Sequence, residues 1–326
     1  MVCVKIDSLY TLMFDRMHEK ISKSIKNAEN VLIISHREPD ADTLGAAVAF
    51  KYICDLWKIN STLACVDKAP ESLSFIPFLD EFVDNVNPDL YDLIIVVDAG
   101  AYYMTNFHLV HENIFSGDCE VINIDHHASN GNFGTINFVD VDAPSVTCMV
   151  YEMFRSWKIF IPENIATALL AGIYGDTGCF MHSNSTLRVF EISSELMEIG
   201  ANVTIIVNGL FRKSPVSTLK LWGKVFENSS LTDSGVLVCF VRNADFNSLG
   251  TNQKDLSGVV DYLNMVPGSK FSILLNEDLE GNVKGSLRTR KSGVDLSRIA
   301  KVFGGGGHPG ASGFTVPGNL EAGFDI

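Results

Sequence analysis

The 326-residue chain has no apolar run approaching the roughly eighteen residues that a membrane-crossing helix requires, so no membrane partner is expected. Its seven cysteines (Cys3, Cys54, Cys65, Cys119, Cys148, Cys179 and Cys239) are odd in number, scattered, and never spaced Cys-x-x-Cys. That pattern excludes a disulfide framework and a zinc ribbon, and it favours a reducing, cytoplasmic setting. Positive charge is also short: 25 Lys and Arg stand against 39 Asp and Glu, a net charge of -14. A protein that coats long nucleic acid normally carries a basic footprint, so no long nucleic acid is expected as a partner. No internal repeat occurs, and the only low-complexity tract is Gly304-Gly305-Gly306-Gly307, which sets aside solenoids and long disordered tails.

What is present has the length for two cores of ordinary size. Leu9, Leu12, Met13, Met17, Ile21 and Ile25 recur at helical spacing and predict an amphipathic N-terminal helix. Short Val- and Ile-rich runs at 31–35, 62–66, 93–98, 121–124 and 135–139 then alternate with helical patterns such as Thr43 to Trp57. This is the rhythm of a parallel sheet in an α/β domain. From Asn202 to Ser230 the pattern is helical, broken at Lys213-Ser214-Pro215. Strand-like runs follow at 236–241, 271–275 and 283–289, with a short helix near 296–303. We therefore expect a catalytic domain over 1–200, a helical connector over 201–230 and a smaller mixed α/β domain over 231–326.

Four segments concentrate the chemistry. His36-Arg37-Glu38-Pro39-Asp40-Ala41-Asp42 follows one apolar run, Asp98 a second, and Asp125-His126-His127 a third. Asp176, within Gly172-Ile173-Tyr174-Gly175-Asp176-Thr177-Gly178, follows the apolar stretch Ala166 to Ala171, which reads as a helix. Ligands of open parallel sheets collect at strand carboxyl ends, so distant positions converge there. Carboxylates and imidazoles sharing a pocket need cations or phosphate contacts to relieve their repulsion.

The other charge sign gathers near the C-terminus, where Lys284, Arg288, Arg290, Lys291, Arg298 and Lys301 face only Asp295, a balance of about +5. Beyond them the four glycines lead into His308-Pro309-Gly310. Successive glycine amides can turn inward to make an anion site, and the planar fork of Arg288 suits phosphate; a flexible loop is the plainer alternative.

With these motifs in order, the chain resembles the DHH-family phosphoesterases with a DHH-associated C-terminal domain, over roughly residues 31 to 316. The resemblance implies an active site in the cleft between the two domains. It implies that His36, Asp40 and Asp98 ligate one metal, and that Asp42, Asp98, His126 and Asp176 ligate a second, with Asp98 bridging. His127 then resembles the family's substrate-phosphate contact, while Asp125 orients an imidazole from behind. Arg288, Gly304, Gly305, Gly306, Gly307 and His308 are expected to bind substrate. Imidazole and carboxylate donors without thiolate point to two Mn²⁺ ions, with Mg²⁺ or Co²⁺ as substitutes.

Within that family the chain is most similar to compact enzymes that degrade short oligoribonucleotides and dephosphorylate 3′-phosphoadenosine 5′-phosphate. Short RNA or a nucleotide bisphosphate is thus the expected partner, for a monomer or homodimer. Other readings are a linear or cyclic dinucleotide phosphodiesterase, a manganese-dependent pyrophosphatase, or a silent nucleotide-binding protein on the same fold. Ala41, Ala46 and Thr289 depart from residues common in relatives, and a closing helix around Leu320 to Ile326 is expected to be missing or differently made. His18, His108, His111 and His182 read as surface or packing residues, and Phe75, Phe78 and Phe82 as one helical face packing a domain wall.

Overall fold

The computed structural model describes residues 3–116, 119–211 and 215–320, and side chains apart from those of 3–13, 211, 261 and 308. The chain divides between residues 213 and 214 into two compact units. In the first, α1 (Cys3–Asn27), β1 (Asn30–Ile34), α2 (Ala41–Trp57), β2 (Asn60–Ala64), β3 (Leu93–Val97), β4 (Glu120–Asp125) and β5 (Ile136–Val139) lead into α3 (Val146–Trp157), α4 (Glu163–Asp176), α5 (Leu187–Ile199) and α6 (Val203–Phe211). The sheet is wholly parallel, in the order β2-β1-β3-β4-β5.

Each central strand is buried on both faces, which is why its sequence is a continuous aliphatic run and not an alternation. Val31 and Ile33 of β1, with Leu93, Ile95 and Val97 of β3, enter the large core shared with α2, α3 and α4. Leu32, Ile34, Ile94 and Val96 point the other way, into a smaller core closed by Phe107 and Ile114 from the loop before β4. Strand order reverses between β1 and β3, so their outgoing loops part and leave a crevice at their carboxyl ends. That crevice receives the residues that follow both strands.

Helix α1 buries Ile21 and Ile25 and packs Met17 against the large core; the side chains of Leu9, Leu12 and Met13 lie outside the described residues. Phe75, Phe78 and Phe82 are half-buried against that core, but their segment contains 3₁₀ turns at Glu71–Leu73 and Leu79–Glu81 and no α-helix. Phe78, with φ 63°, interrupts any helical path between the turns. No helix among the described residues is long and apolar enough to cross a membrane.

The second unit holds α7 (Val216–Glu227), β6 (Ser230–Leu231), β7 (Val236–Val241), α8 (Asn243–Leu249), α9 (Val259–Leu263), β8 (Phe271–Glu277), β9 (Asn282–Arg288), α10 (Leu296–Val302), β10 (Gly306–His308) and β11 (Ala311–Pro317). The segment expected as a connector is thus shared, α6 falling in the first unit and α7 in the second. The six strands run β10-β11-β9-β8-β7-β6, with β7 and β8 parallel and every other pair antiparallel. On one face α7, α8 and α9 cover Leu237, Cys239, Val241 and Leu274. On the other, α10 covers Leu287 and Phe314. The second unit is the expected smaller mixed α/β domain, with β10 and β11 as strands that the glycine-rich sequence concealed.

In the first unit α2 and α4 approach closely because small residues line both. A Cβ built on Gly45 would lie 2.6 Å from the Ala168 carbonyl oxygen, an atom of a helical backbone that cannot give way. Gly45→Ala should therefore lower stability by about 1–3 kcal/mol, read as a lower urea midpoint.

Candidate metal centre

The loop leaving β1 is held on three sides. The Arg37 amide donates to the Met104 carbonyl at 2.9 Å, the Glu38 amide to Asp67 Oδ2 at 2.8 Å, and Cys65 Sγ to the His36 carbonyl at 3.3 Å. Asp40 caps α2, its Oδ1 accepting from the amides of Asp42 (2.9 Å) and Thr43 (3.1 Å), which leaves Oδ2 free to face His36 Nε2 at 3.9 Å. Thr43 Oγ1 donates to the Val97 carbonyl at 3.1 Å and so ties the first turn of α2 to the end of β3.

Asp98, the residue after β3, sits at φ 57°, a left-handed backbone unusual outside glycine, with its amide donating to the Ile124 carbonyl at 2.9 Å. Its carboxylate faces both sides of the crevice: Oδ2 lies 3.4 Å from His36 Nε2 and Oδ1 lies 3.6 Å from His126 Nε2. His126 Nε2 is also 3.3 Å from Asp176 Oδ2. Asp176 is the last residue of α4, where the helix dipole is least favourable to a carboxylate, so helix stability does not account for it.

Asp42 is reached from the far side. Its Oδ2 accepts from the Val146 amide at 2.7 Å, and its Oδ1 from the Thr147 amide at 2.9 Å and the Thr147 hydroxyl at 2.5 Å. One carboxylate therefore completes the start of α3 while facing the centre. A Cβ on Gly172 would come within 2.5 Å of Thr147 Oγ1 and 2.7 Å of Asp42 Oδ1, so glycine is required where α4 passes behind them.

Each imidazole has one nitrogen engaged. His36 Nδ1 donates to the Arg37 carbonyl (2.7 Å), His126 Nδ1 to the Ala143 carbonyl (3.1 Å) and His127 Nδ1 to Asp125 Oδ1 (2.8 Å). In His36 and His126 this directs the Nε2 lone pair to the carboxylates. Three groups of donor atoms lie within 4.8 Å of one another: His36, Asp40 and Asp98; Asp42, His126 and Asp176; and Asp98, His126 and His127. In the third, His127 Nδ1 lies 3.7 Å from Asp98 Oδ1 but is already hydrogen-bonded to Asp125.

Burial foremost, and then the neighbouring carboxylates, push the Asp98 and Asp176 carboxyls well above the usual range. Burial also raises Asp42, with Asp40 adding repulsion, while His126 and Thr147 pull against it. Burial opposes ionisation of Asp125 as well, but hydrogen bonds from His127 and Asn130 outweigh it and hold this carboxyl low. The Asp125 hydrogen bond in turn lifts His127 against the effect of burial. Among the described residues no lysine or arginine pairs with Asp40, Asp42, Asp98 or Asp176, and Asp98 Oδ1 is buried without a hydrogen-bond partner. An orphaned anionic oxygen among oxygen and imidazole donors fits divalent cations.

In the second unit Arg288 ends β9, with Lys284 and Ser286 on the same face. Strand register sets Arg288 opposite Ala311, and Ala311 opposite His308; the His308 side chain lies outside the described residues. The glycines divide their work. The amides of Gly304 and Gly305 donate to the Lys301 and Ala300 carbonyls at the end of α10, so those two amides do not face an anion. Gly305 and Gly307 are kept small by contact with β11, whereas a side chain on Gly306 would meet no atom within 4 Å. The inward-turned run of four amides expected from the sequence is therefore not formed, because helix capping takes two of them.

His182 Nδ1 contacts the Asp176 carbonyl at 3.2 Å and its ring covers Gly178, while His18, His108 and His111 fall in no donor group among the described residues. Thr43 is the hydrogen bonder that its place beside the ligand candidates suggests, whereas nothing in the sequence singled out Thr147 or Asn130. Only Asn123, a polar residue inside the run Val121 to Ile124, signalled that polar contacts extend into the sheet. Thr147→Val keeps the shape but removes the hydroxyl donated to Asp42, and should cost about 1.5–3 kcal/mol in urea unfolding.

Residues 30–173 match the DHH family, N-terminal domain, and residues 233–324 match the DHHA1 domain. Over 307 residues the chain is 27% identical to the bifunctional oligoribonuclease and PAP phosphatase NrnA of Bacillus subtilis (strain 168), covering 92% of this chain and 93% of that one. Over 306 residues it is 29% identical to the Thermus thermophilus protein of the same name, covering 93% and 88%. A crystal structure of an exopolyphosphatase-related protein from Bacteroides fragilis shares the fold, with a TM-score of 0.85 at 22% identity over 94% of this chain and 92% of that one. The chain therefore carries a DHH family N-terminal domain followed by a DHHA1 domain.

Proposed function

We propose that this protein is a cytoplasmic two-metal phosphohydrolase that degrades short oligoribonucleotides and dephosphorylates 3′-phosphoadenosine 5′-phosphate. The observation that carries the reading is the Asp98 carboxylate, one oxygen toward His36 and the other toward His126. His36, Asp40 and Asp98 would hold one cation, and Asp42, Asp98, His126 and Asp176 the other. Mn²⁺ suits this oxygen and imidazole donor set, with Mg²⁺ or Co²⁺ as substitutes. Such cations, when bound, supply Lewis acidity toward a phosphate ester and the water that hydrolyses it.

The chain's own residues supply the rest. Asp125 accepts from His127 Nδ1 and raises that imidazole's proton affinity, so His127 is suited to donate from Nε2 to a phosphate oxygen. Arg288, on a polar sheet face with Lys284, offers a planar fork for a second phosphate. No atom of the described residues lies within 4 Å of a side chain placed on Gly306, which permits close approach of a ligand, and His308 stands in the same cross-strand row as Arg288. The substrate classes rest on the names of the two relatives.

The test is hydrolysis by metal-stripped protein resupplied with Mn²⁺, comparing a ribonucleotide dimer, longer RNA, 3′-phosphoadenosine 5′-phosphate, a cyclic dinucleotide and pyrophosphate. Cleavage of the dimer or the bisphosphate is expected; turnover confined to pyrophosphate or the cyclic dinucleotide overturns the substrate assignment. Asp98→Ala should lower kcat/KM by about 10³-fold and abolish the rise in melting temperature that Mn²⁺ gives the wild type. Retained turnover with full metal content would refute the bridging role. Arg288→Ala should raise KM about 10- to 100-fold with little change in kcat, as steady-state kinetics on the bisphosphate would show.

A further inference from the structure

Behind the metal centre three asparagines form a directed chain that ends on Asp125. Asn123 and Asn137 are cross-strand partners in β4 and β5, and Asn123 Nδ2 donates to Asn137 Oδ1 at 3.3 Å and to Asn130 Oδ1 at 2.9 Å. Asn130 Nδ2 in turn donates to Asp125 Oδ2 at 2.5 Å and to the Ala99 carbonyl at 3.3 Å. Asp125 then accepts from His127 Nδ1 through its other oxygen.

Every amide in the chain has a defined orientation. Asn130 Oδ1 also accepts from the Asn132 amide (2.7 Å), while the Ala99 carbonyl can only accept, so Asn130 cannot flip without breaking several contacts. Asn137 is fixed in the same way by Gly134, whose amide donates to its Oδ1 at 2.9 Å and whose carbonyl accepts from its Nδ2 at 2.7 Å. Asn123 uses one nitrogen for both neighbours and leaves its fully buried Oδ1 without a partner. A buried orphan acceptor is destabilising, and an aliphatic residue would fill that strand position without this defect. The defect is explained if the two donations are what the position is kept for.

We propose that Asn130 is a positioning residue for the phosphohydrolase reaction, clamping the turn after β3 to the end of β4 and holding Asp125 so that its Oδ1 keeps the proton on His127 Nδ1. The inference rests on the phosphate-facing role given to His127 in the proposed function. The hydrogen bonds of the Asn130 side chain go to Ala99, Asn123, Asp125 and Asn132 and to none of the metal-ligand candidates. Its contact with Ala99 lies one residue from Asp98, and its contact with Asp125 lies two residues from His127, so one amide registers two of the loops that carry the centre. Asn130→Asp preserves the shape but sets a carboxylate oxygen against Asp125, reversing the required donor into a repelling acceptor.

The experiment compares full-length wild type, Asn130→Asp and Asn130→Ala, each alone and combined with His127→Ala, by Mn²⁺-dependent hydrolysis of a ribonucleotide dimer. Each single substitution at Asn130 should lower kcat/KM about 10- to 100-fold, mostly in kcat. In the His127→Ala background the same substitutions should change it less than about twofold, because their route of action is gone. Equal fold losses in both backgrounds would make Asn130 a general structural residue and overturn the proposal. A second readout needs neither metal nor turnover: histidine ¹⁵N spectra of the metal-free proteins in alkaline buffer, where the ring is neutral. They should show His127 protonated at Nδ1 in the wild type and a mixture of tautomers in whichever Asn130 variant remains folded. An unchanged tautomer in a folded variant would equally refute the positioning role. If the wild type failed to cleave the dimer, the functional reading would fall, and the spectra would still decide the Asn130 contact.

Discussion

Asp42 and Asp98 hold buried carboxylates and Asp176 a partly buried one, all facing a shared set of imidazoles, and like charges so placed raise the energy of the folded chain. Much of the first unit's local structure compensates this repulsion. The carboxylates are supported from behind by neutral donors, which fix their direction without cancelling their charge: backbone amides for Asp40 and Asp42, a threonine hydroxyl for Asp42. Lysine and arginine are kept away from them among the described residues, so the charge remains available to cations.

The same contacts join elements that are far apart in sequence. Asp42 belongs to the first turn of α2, yet its hydrogen bonds go to the start of α3, about a hundred residues later. Thr43, its neighbour, reaches the end of β3. Gly45 lets α4 press against α2, and Gly172 lets it pass behind Asp42 and Thr147 on its way to Asp176. Helix packing and ligand placement are therefore one problem: the close approach that buries Ala46, Ala168 and Ala171 also sets where Asp176 ends. This coupling makes a small change on a helix face register at the candidate metal centre, since close-packed interiors transmit displacement.

The second unit uses its sheet differently. One face is covered by helices over β7 and β8, while Lys284, Ser286 and Arg288 of β9 remain polar and partly or wholly exposed. The glycine-rich segment has two separate causes. Gly305 and Gly307 lie against β11 where any side chain would collide, and Gly304, at φ 74°, with Gly305, closes the end of α10. Gly306 alone is small without a contact inside the unit that requires it.

The parallel sheet was legible because its strands are buried on both faces, which leaves uninterrupted aliphatic runs such as Leu93 to Val97. The ligand candidates were legible because acids and imidazoles stood where those runs ended, an arrangement that local chemistry alone makes unfavourable. Strands β10 and β11 were not, since Gly306, Gly307 and Gly313 carry no strand propensity, and they pair only because β9 offers β11 an edge and β11 in turn offers one to β10. Nor was the segment around Phe78, where helical spacing is overridden by a left-handed residue. By itself, then, the sequence determined the alternation of elements, the places where charge would gather and the residue types able to bind cations. Only the tertiary structure decided that Asp42 caps α3, that Thr43 ties α2 to β3 and that Asn130 joins Ala99 to Asp125, because those are contacts between segments whose spacing along the chain carries no record of their meeting.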